Sequence, residues 1–127
     1  MASGLVWFIW LVVQSAAAVA ENRVALVIGN AAYHQTPELK NPINDAADMT
    51  ATLERLGFKV IKGFDLDKTA MDRAIRDFAA ALTGADVGVL FYAGHGLQVA
   101  GTNYLVPVDA QLGRHCTPAP LARSEDW

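Results

Sequence analysis

The sequence has little of several residues and motifs that would point to a function. Cys116 is the single cysteine of 127 residues, which excludes an internal disulfide framework. No Cys/His cluster has zinc spacing, and no acidic cluster indicates a calcium site. The chain also lacks a G-x-G-x-x-G or Gly-Lys-Ser/Thr phosphate loop. From these missing motifs we expect no metal and no cofactor. Because the charges are interspersed and the formal net charge is −3, we also expect no nucleic-acid partner.

Charge is also missing from the front of the chain. All 10 Lys and Arg and all 13 Asp and Glu residues lie after residue 20. An apolar run, LVWFIWLVV, leads to a small-x-small end at Ala18-Val19-Ala20, which predicts a signal peptide over residues 1–20 and a periplasmic or secreted protein. The alternative is an uncleaved anchor, since MASG carries no basic residue, although residues 5–20 are short for a membrane span. We expect membrane contact only if residues 5–20 stay uncleaved.

The rest of the chain alternates apolar runs with helical patterns. Strands are predicted at 23–30, 58–64 and 86–93, with helices at about 41–57 and 69–84. Continuous apolarity in RVALVIGN indicates a strand that is buried on both faces of a parallel sheet. We therefore expect an α/β fold with a doubly wound, mostly parallel sheet in strand order 2-1-3. Ligands then bind where strands 1 and 3 end, near residues 30–33 and 94–96.

Finer features of these elements are also predicted. Asn41 or Asn44 caps the first helix, and Gly57 and Gly84 end the two helices. The third strand is followed by a β-hairpin, 97–100 and 103–106, that turns through Gly101 and Thr102. Asp109 is expected to cap a strand end rather than to act as a catalytic acid. The apolar faces of the two helices comprise Ala46, Met49, Leu53 and Leu56, and Met71, Ala74, Ile75, Phe78, Ala79 and Leu82.

The segment AGHG places His95 between two glycines at the predicted crevice. Gly94 and Gly96 permit close approach of a substrate backbone, and the Gly96 N–H is a candidate oxyanion donor. A histidine in this place is a candidate general acid or base, and the alternative is a turn histidine with a structural role only. Asn30 is a candidate substrate-binding residue at the same crevice. The alternative is that Asn30 only shapes the loop. Tyr33 is likewise expected to have a structural role, in which it packs over the end of the sheet.

Four segments carry a family resemblance, in this order: RVALVIGNAAY, LKNPINDAADM, LERLGFKV and VLFYAGHGLQVAGTNYLVPVDA. Over residues 23–110 they resemble the caspase/metacaspase superfamily of cysteine peptidases, and in particular its exported bacterial members. The resemblance implies a three-layer sandwich, a His/Cys dyad with His95 as the catalytic histidine, and Gly96 as half of the oxyanion hole. It also implies a peptide or protein substrate.

The resemblance gives Asp45 a role as well. In PIND, Asp45 matches an acidic residue that lines the primary specificity pocket of metacaspases, which implies preference for Arg or Lys at the cleaved position. Pro42 stands where metacaspases often carry a cysteine, so the pocket is matched only in part. The alternative is that Asp45 serves the dipole of the first helical turn.

The chain departs from this family where the nucleophile is expected. The family's cysteine follows a further buried strand, whereas Cys116 lies in a proline-containing tail beside His115, and adjacent side chains diverge. We therefore expect a partial catalytic domain over residues 21–110, without its later strands and nucleophile, and an irregular tail over 111–127. The predicted function is a caspase-like cysteine endopeptidase, here catalytically incomplete. The alternative is a non-enzymatic module that binds peptides or partners through the same crevice; a nucleotide-binding domain is disfavoured.

Overall fold

A computed structural model describes residues 21–111 of the chain. Predictions about the signal peptide, His115 and Cys116, and nearly all of the tail, lie outside these residues. The elements follow in the order strand, helix, strand, helix, strand and hairpin. Their bounds are β1 Arg23–Gly29, α1 Pro42–Arg55, β2 Lys59–Phe64, α2 Lys68–Leu82, β3 Val87–Ala93, β4 Gly96–Val99 and β5 Thr102–Leu105.

The main sheet has the predicted order, β2-β1-β3, and its strands are parallel. Leu26 at the centre of β1 is in register with Ile61 of β2 and Leu90 of β3. The antiparallel pair β4-β5 forms a separate two-stranded sheet after β3. The α/β class, the strand order and the hairpin after the third strand are therefore confirmed.

The core consists of two apolar clusters on opposite faces of β1. Leu26 and Ile28 pack with Met71 and Phe78 of α2, whereas Val27 lies in a second cluster with residues of α1. Residues 25–28 are completely buried, because a helix covers each face of this central strand. This arrangement gives the expected three layers, and it explains why the sequence of β1 is apolar without alternation.

The close packing of α1 fixes the sheet end that matters for function. A Cβ atom at Gly29 would lie 2.7 Å from the Pro42 carbonyl oxygen and 2.7 Å from the Ala46 Cβ. No other residue fits there without a shift of the helix, so Gly29 lets the first turn of α1 sit directly on the end of β1.

Four details differ from the sequence predictions. The hairpin turns through Ala100 and Gly101, one residue earlier than predicted, because these two adopt the positive φ angles (49° and 82°) that a tight two-residue turn needs. Leu56 is 55% exposed, since α1 has ended before it. Ala79 is exposed because it lies at the border of the apolar stripe of α2. Asn41 precedes α1, but its side chain makes no capping hydrogen bond.

Other predicted boundaries hold. Gly57 and Gly84 follow the two helices with φ near +80°, as expected for helix-ending glycines. Asp109 accepts a hydrogen bond from the Lys68 N–H (2.8 Å), so it caps the start of α2 and not the strand end that was predicted. Among residues 21–111, no helix is both long and apolar enough to cross a bilayer.

Candidate active site

The candidate site lies where β1 and β3 end. Gly29 and Ala93 are paired at the last step of the two strands, and the Asn30 N–H then donates to the Ala93 carbonyl (2.8 Å). The strands therefore stay joined for one residue beyond the ladder. The two loops that follow carry Tyr33 and His95, and the structure brings them into contact.

The backbone of His95 is held on both sides. Its N–H donates to the Tyr33 hydroxyl (2.7 Å). Its carbonyl oxygen accepts from the Tyr92 hydroxyl (2.7 Å) and from the Val106 N–H (3.1 Å). Because donor and acceptor are both engaged, this short loop between β3 and β4 has one defined path.

The imidazole of His95 lies against an aromatic ring. The ring centroids of His95 and Tyr33 are 4.5 Å apart, with the planes tilted by 54°. The His95 Nε2 atom is buried and has no hydrogen-bond partner among the described residues. Nδ1 is therefore the ring nitrogen left to exchange a proton with a second group.

The space beside the Gly94 Cα is filled by neighbouring side chains. A Cβ atom there would lie 2.6 Å from the Tyr33 hydroxyl and 2.6 Å from the Tyr92 hydroxyl. A glycine was expected at this position for close approach of a substrate backbone. In the structure, its missing side chain makes room for two phenols beside the histidine.

Gly96 begins β4 and is exposed. It stands opposite Leu105, and the neighbouring pair, His95 and Val106, is hydrogen-bonded. Hydrogen-bonded and non-hydrogen-bonded pairs alternate along an antiparallel ladder, so Gly96 occupies a non-hydrogen-bonded position. Its N–H points away from β5. A Cβ at Gly96 would find its nearest neighbour, the Tyr104 carbonyl oxygen, at 3.8 Å, so the surroundings are open.

Asn30 was predicted to contact substrate, but its side chain is completely buried. Its amide nitrogen donates to the Val106 carbonyl (3.2 Å), and its amide oxygen accepts from the Leu66 N–H (2.9 Å). Both ends of the amide are therefore used to join β1 to the segment after β5 and to the segment after β2. In this structure the loop-structure alternative describes Asn30.

Asp45 is exposed in the first turn of α1. That turn sits on the end of β1, so Asp45 lies at the same end of the sheet as His95. No hydrogen bond or ion pair joins Asp45 to the His95 loop within residues 21–111. The specificity role and the helix-dipole role both remain compatible with this placement.

Two residues of the site were not identified from the sequence. Tyr92 belongs to an apolar run, which predicts a core residue, yet its hydroxyl donates a hydrogen bond to the His95 carbonyl oxygen. Burial, reinforced by the hydrogen bond with Tyr33, raises the pKa of Tyr92 well above its usual range, so the phenol stays protonated. Asp65 follows β2 with φ 50° and accepts from the Ala31 and Ala32 N–H groups (2.9 Å each). A signal for Tyr92 was available, because a buried phenol, unlike Phe91 beside it, needs a hydrogen-bond partner.

The described residues hold no metal centre of the usual kind. Residues 21–111 contain no group of three or more His, Cys, Asp or Glu side chains placed to bind a metal ion. His34 is exposed, and its backbone N–H donates to the Val108 carbonyl (2.9 Å). The described residues that meet at this site supply an imidazole, two phenols and backbone groups.

Comparison with known proteins adds the family to this geometry. Residues 22–121 match the family described as the caspase domain. The chain is 40% identical over 97 residues to the mouse mucosa-associated lymphoid tissue lymphoma translocation protein 1 homolog and 42% identical over 91 residues to its human counterpart. These matches cover 76% and 72% of the chain, but only 12% and 11% of the two relatives.

Proposed function

The chain belongs to the caspase domain family of peptidases, and from that premise we propose that it is a cysteine-type endopeptidase domain with His95 as its catalytic histidine. The observation that supports this most is the environment of His95. Its backbone is fixed by Tyr33 and Tyr92, and one ring nitrogen remains available for proton transfer. Since the chain spans about one eighth of the length of its relatives, the activity of any longer protein is part of the same proposal.

In the proposed reaction, Nδ1 of His95 takes the proton of a cysteine thiol. The thiolate attacks the scissile carbonyl, and the imidazolium then gives the proton to the leaving amine. Water hydrolyses the resulting thioester and regenerates the thiol. In the same proposal, the outward Gly96 N–H donates a hydrogen bond to the carbonyl oxygen and stabilises its negative charge during both steps.

The thiolate is the part of this proposal that the described residues do not contain. Cys116 is the single cysteine of residues 1–127 and lies outside the described range. We infer that Cys116 is not the nucleophile, because no apolar run precedes it in the sequence and the side chains of the adjacent His115 and Cys116 diverge. Residues 1–127 then supply the histidine and an oxyanion donor without a thiolate.

The same observation favours a second candidate function. A caspase-like domain without its nucleophile is a module that binds peptides through the crevice between Tyr33 and Gly96. Such a module needs the fold and the open Gly96 N–H but no proton transfer by His95. The two candidates therefore differ in their dependence on the imidazole.

The test is turnover of fluorogenic peptides with Arg, Lys or Asp at the cleaved position by the purified protein, His95→Ala and Cys116→Ala. Turnover that is lost in both variants would support the peptidase and overturn the inference about Cys116. Turnover that is lost in His95→Ala but kept in Cys116→Ala, a variant without any thiol, would overturn the cysteine mechanism. If no variant turns over substrate, peptide-induced shifts of the Gly96 amide resonance that persist in His95→Ala would favour the binding module.

Preference for Arg or Lys at the cleaved position is proposed to come from Asp45. Replacing Asp45 with Asn should lower kcat/KM, or peptide affinity, about tenfold for peptides with Arg at the cleaved position. The same quantities should stay unchanged for peptides with Asp at that position. Asp48→Asn is the matched control, because it removes an equal charge one turn further along the same helix. Equal effects of the two substitutions would assign Asp45 to the helix dipole only.

Export also remains a proposal, supported by the apolar run and the Ala18-Val19-Ala20 segment. Mass spectrometry of the protein recovered outside the cytoplasm should find a chain that begins at Glu21. A chain that retains residues 1–20 and sediments with membranes would instead support the anchor.

A further inference from the structure

We propose that Tyr33 is a positioning residue for His95, and that Asp65 holds the loop that presents Tyr33. The inference rests on the proposed function only in that His95 is taken as the working group of the site. The sequence pattern predicts no role for Tyr33 beyond packing and none for Asp65.

Tyr33 contacts His95 in two different ways. Its hydroxyl accepts the backbone N–H of His95 at 2.7 Å. Its ring lies against the imidazole, with centroids 4.5 Å apart and a tilt of 54°. The hydroxyl fixes where the histidine starts from the backbone, and the ring limits where the imidazole can turn. Phenylalanine could make only the second contact, and a small polar residue only the first.

The Tyr33 hydroxyl is itself held in place. It lies 3.1 Å from the Tyr92 hydroxyl and 3.2 Å from the Val106 carbonyl oxygen, to which it can donate. With its proton used in this direction, a lone pair faces the His95 N–H. A phenol that both donates and accepts a hydrogen bond is held in one orientation. Its bond to the His95 N–H then holds the histidine loop in one position.

Asp65 fixes the backbone that carries Tyr33. One carboxylate oxygen accepts the N–H groups of Ala31 and Ala32, which directly precede Tyr33, at 2.9 Å each. The Asp65 N–H in turn donates to the Gly29 carbonyl (2.9 Å). Asp65 adopts φ 50°, an uncommon conformation that aspartate tolerates better than most residues. The end of β2 thus clamps the loop after β1.

This clamp has a consequence for proton transfer. An imidazole that rotates freely about χ1 and χ2 presents Nδ1 to a reacting group for only part of the time. Holding it in one rotamer removes that loss before substrate arrives, which is how preorganised sites lower the barrier to reaction. Since Nε2 is buried, the rotamer seen here leaves Nδ1 as the working nitrogen.

The test is NMR of the isotope-labelled full chain, which needs no turnover. In Tyr33→Phe, the His95 amide should exchange with solvent about tenfold faster, while the ring-current shifts of the His95 imidazole protons persist. In Tyr33→Leu, the amide protection and the ring-current shifts should both be lost, and the His95 χ1 couplings should become averaged. Tyr104→Phe is the control for loss of a phenol and should change neither signal.

Asp65 is tested with a matched pair of substitutions. Asp65→Gly accepts the positive φ but removes the carboxylate, so His95 χ1 averaging should appear as in Tyr33→Leu. Asp65→Asn keeps an acceptor oxygen and a residue that tolerates this φ, so it should restore the single rotamer. Unchanged His95 couplings in both Tyr33→Leu and Asp65→Gly, with β1 amides still protected, would overturn the proposal. Because the NMR signals are read without substrate, the absence of peptidase activity would not change how they are interpreted.

Discussion

The carbonyl oxygen of Val106 is approached by three side chains that come from three parts of the chain. The Asn30 amide and the Tyr33 hydroxyl lie 3.2 Å away, and the Tyr92 hydroxyl lies 3.0 Å away. Val106 itself is buried. Neutral hydrogen bonds, rather than ion pairs, therefore tie the segment after β5 to the ends of β1 and β3. All members of such a network must be present, because each buried polar group that loses its hydrogen-bond partner destabilises the fold.

Gly94 gives the sharpest prediction at the residue scale. Gly94→Ala forces a methyl group to within 2.6 Å of the Tyr33 and Tyr92 hydroxyls, so the phenols must move apart. We expect the free energy of unfolding to fall by about 1–3 kcal/mol, as for other overpacked sites. Urea unfolding measures this change.

Gly96→Ala is the matched control for that substitution. Its new methyl group would find no atom closer than 3.8 Å, so the free energy of unfolding should change by less than about 0.5 kcal/mol. Equal losses in the two variants would mean that flexibility of the AGHG backbone, and not the space beside the phenols, requires the glycines.

The second residue-scale prediction concerns alkaline pH. Burial raises the pKa of Tyr92 in the folded protein above its unfolded value of about 10. The folded state thus favours the protonated phenol, and the stability that depends on it is complete below pH about 10 and is lost as pH rises toward the folded pKa. Urea unfolding at pH 8 and pH 11 should show a smaller alkaline loss in Tyr92→Phe than in the parent. An identical alkaline loss would contradict this assignment, and Tyr104→Phe controls for removal of a phenol elsewhere.

At the scale of elements, the two helices begin differently. Asp67 precedes α2 with extended ψ, and its carboxylate accepts the Ala70 N–H (2.7 Å). Asn41 precedes α1 but makes no such bond. Asp67→Ala should therefore lower the free energy of unfolding by about 1 kcal/mol, and Asn41→Ala should leave it nearly unchanged. Thermal and urea unfolding of the two variants provide the comparison, and a larger loss in Asn41→Ala would refute it.

The hairpin offers a stabilising change. Ala100 and Gly101 both have positive φ in the turn between β4 and β5, and alanine is disfavoured in this conformation by roughly 1 kcal/mol. Ala100→Asn should raise the free energy of unfolding by up to about 1 kcal/mol, because Asn-Gly is the preferred pair in this turn. Gly101→Ala should do the opposite. If Ala100→Asn lowers stability, the turn geometry described here is wrong.

The elements were predictable because each follows a short-range rule. β1 is apolar throughout since both its faces are covered, and the helices show the expected spacing of apolar residues and terminal glycines. The predicted hairpin turn was wrong by one residue because Ala-Gly is a weaker turn signal than Asn-Gly. Leu56 was misplaced because helical periodicity does not reveal that α1 ends at Arg55.

The site was predictable in place but not in its connections. Topology put His95 and Tyr33 at one end of the sheet, because parallel strands end together. It could not show that Asp65, 30 residues before His95 in the sequence, fixes the loop before Tyr33. It also could not show that Asn30 turns inward. Such links join residues far apart in the chain, and a single sequence holds no pattern for them.

At the scale of the whole molecule, β3 is an edge strand of the main sheet. Within residues 21–111 it pairs with β1 on one side and with no strand on the other. Leu90 is 42% exposed and Val87 is 36% exposed. An open strand edge with exposed apolar side chains is a template for pairing with another chain. We therefore expect the protein to self-associate through β3 as its concentration rises.

Leu90→Lys tests this expectation. A lysine at this half-exposed position can extend its ammonium group into water, so the fold should persist while the edge becomes charged. Sedimentation velocity over a hundredfold range of concentration should show association of the parent and a monomer for Leu90→Lys. Leu97→Lys is the control, because it adds the same charge at a similarly exposed leucine (38%) on β4. Suppression of association by both variants would point to net charge, and suppression by Leu90→Lys alone would place the contact at β3.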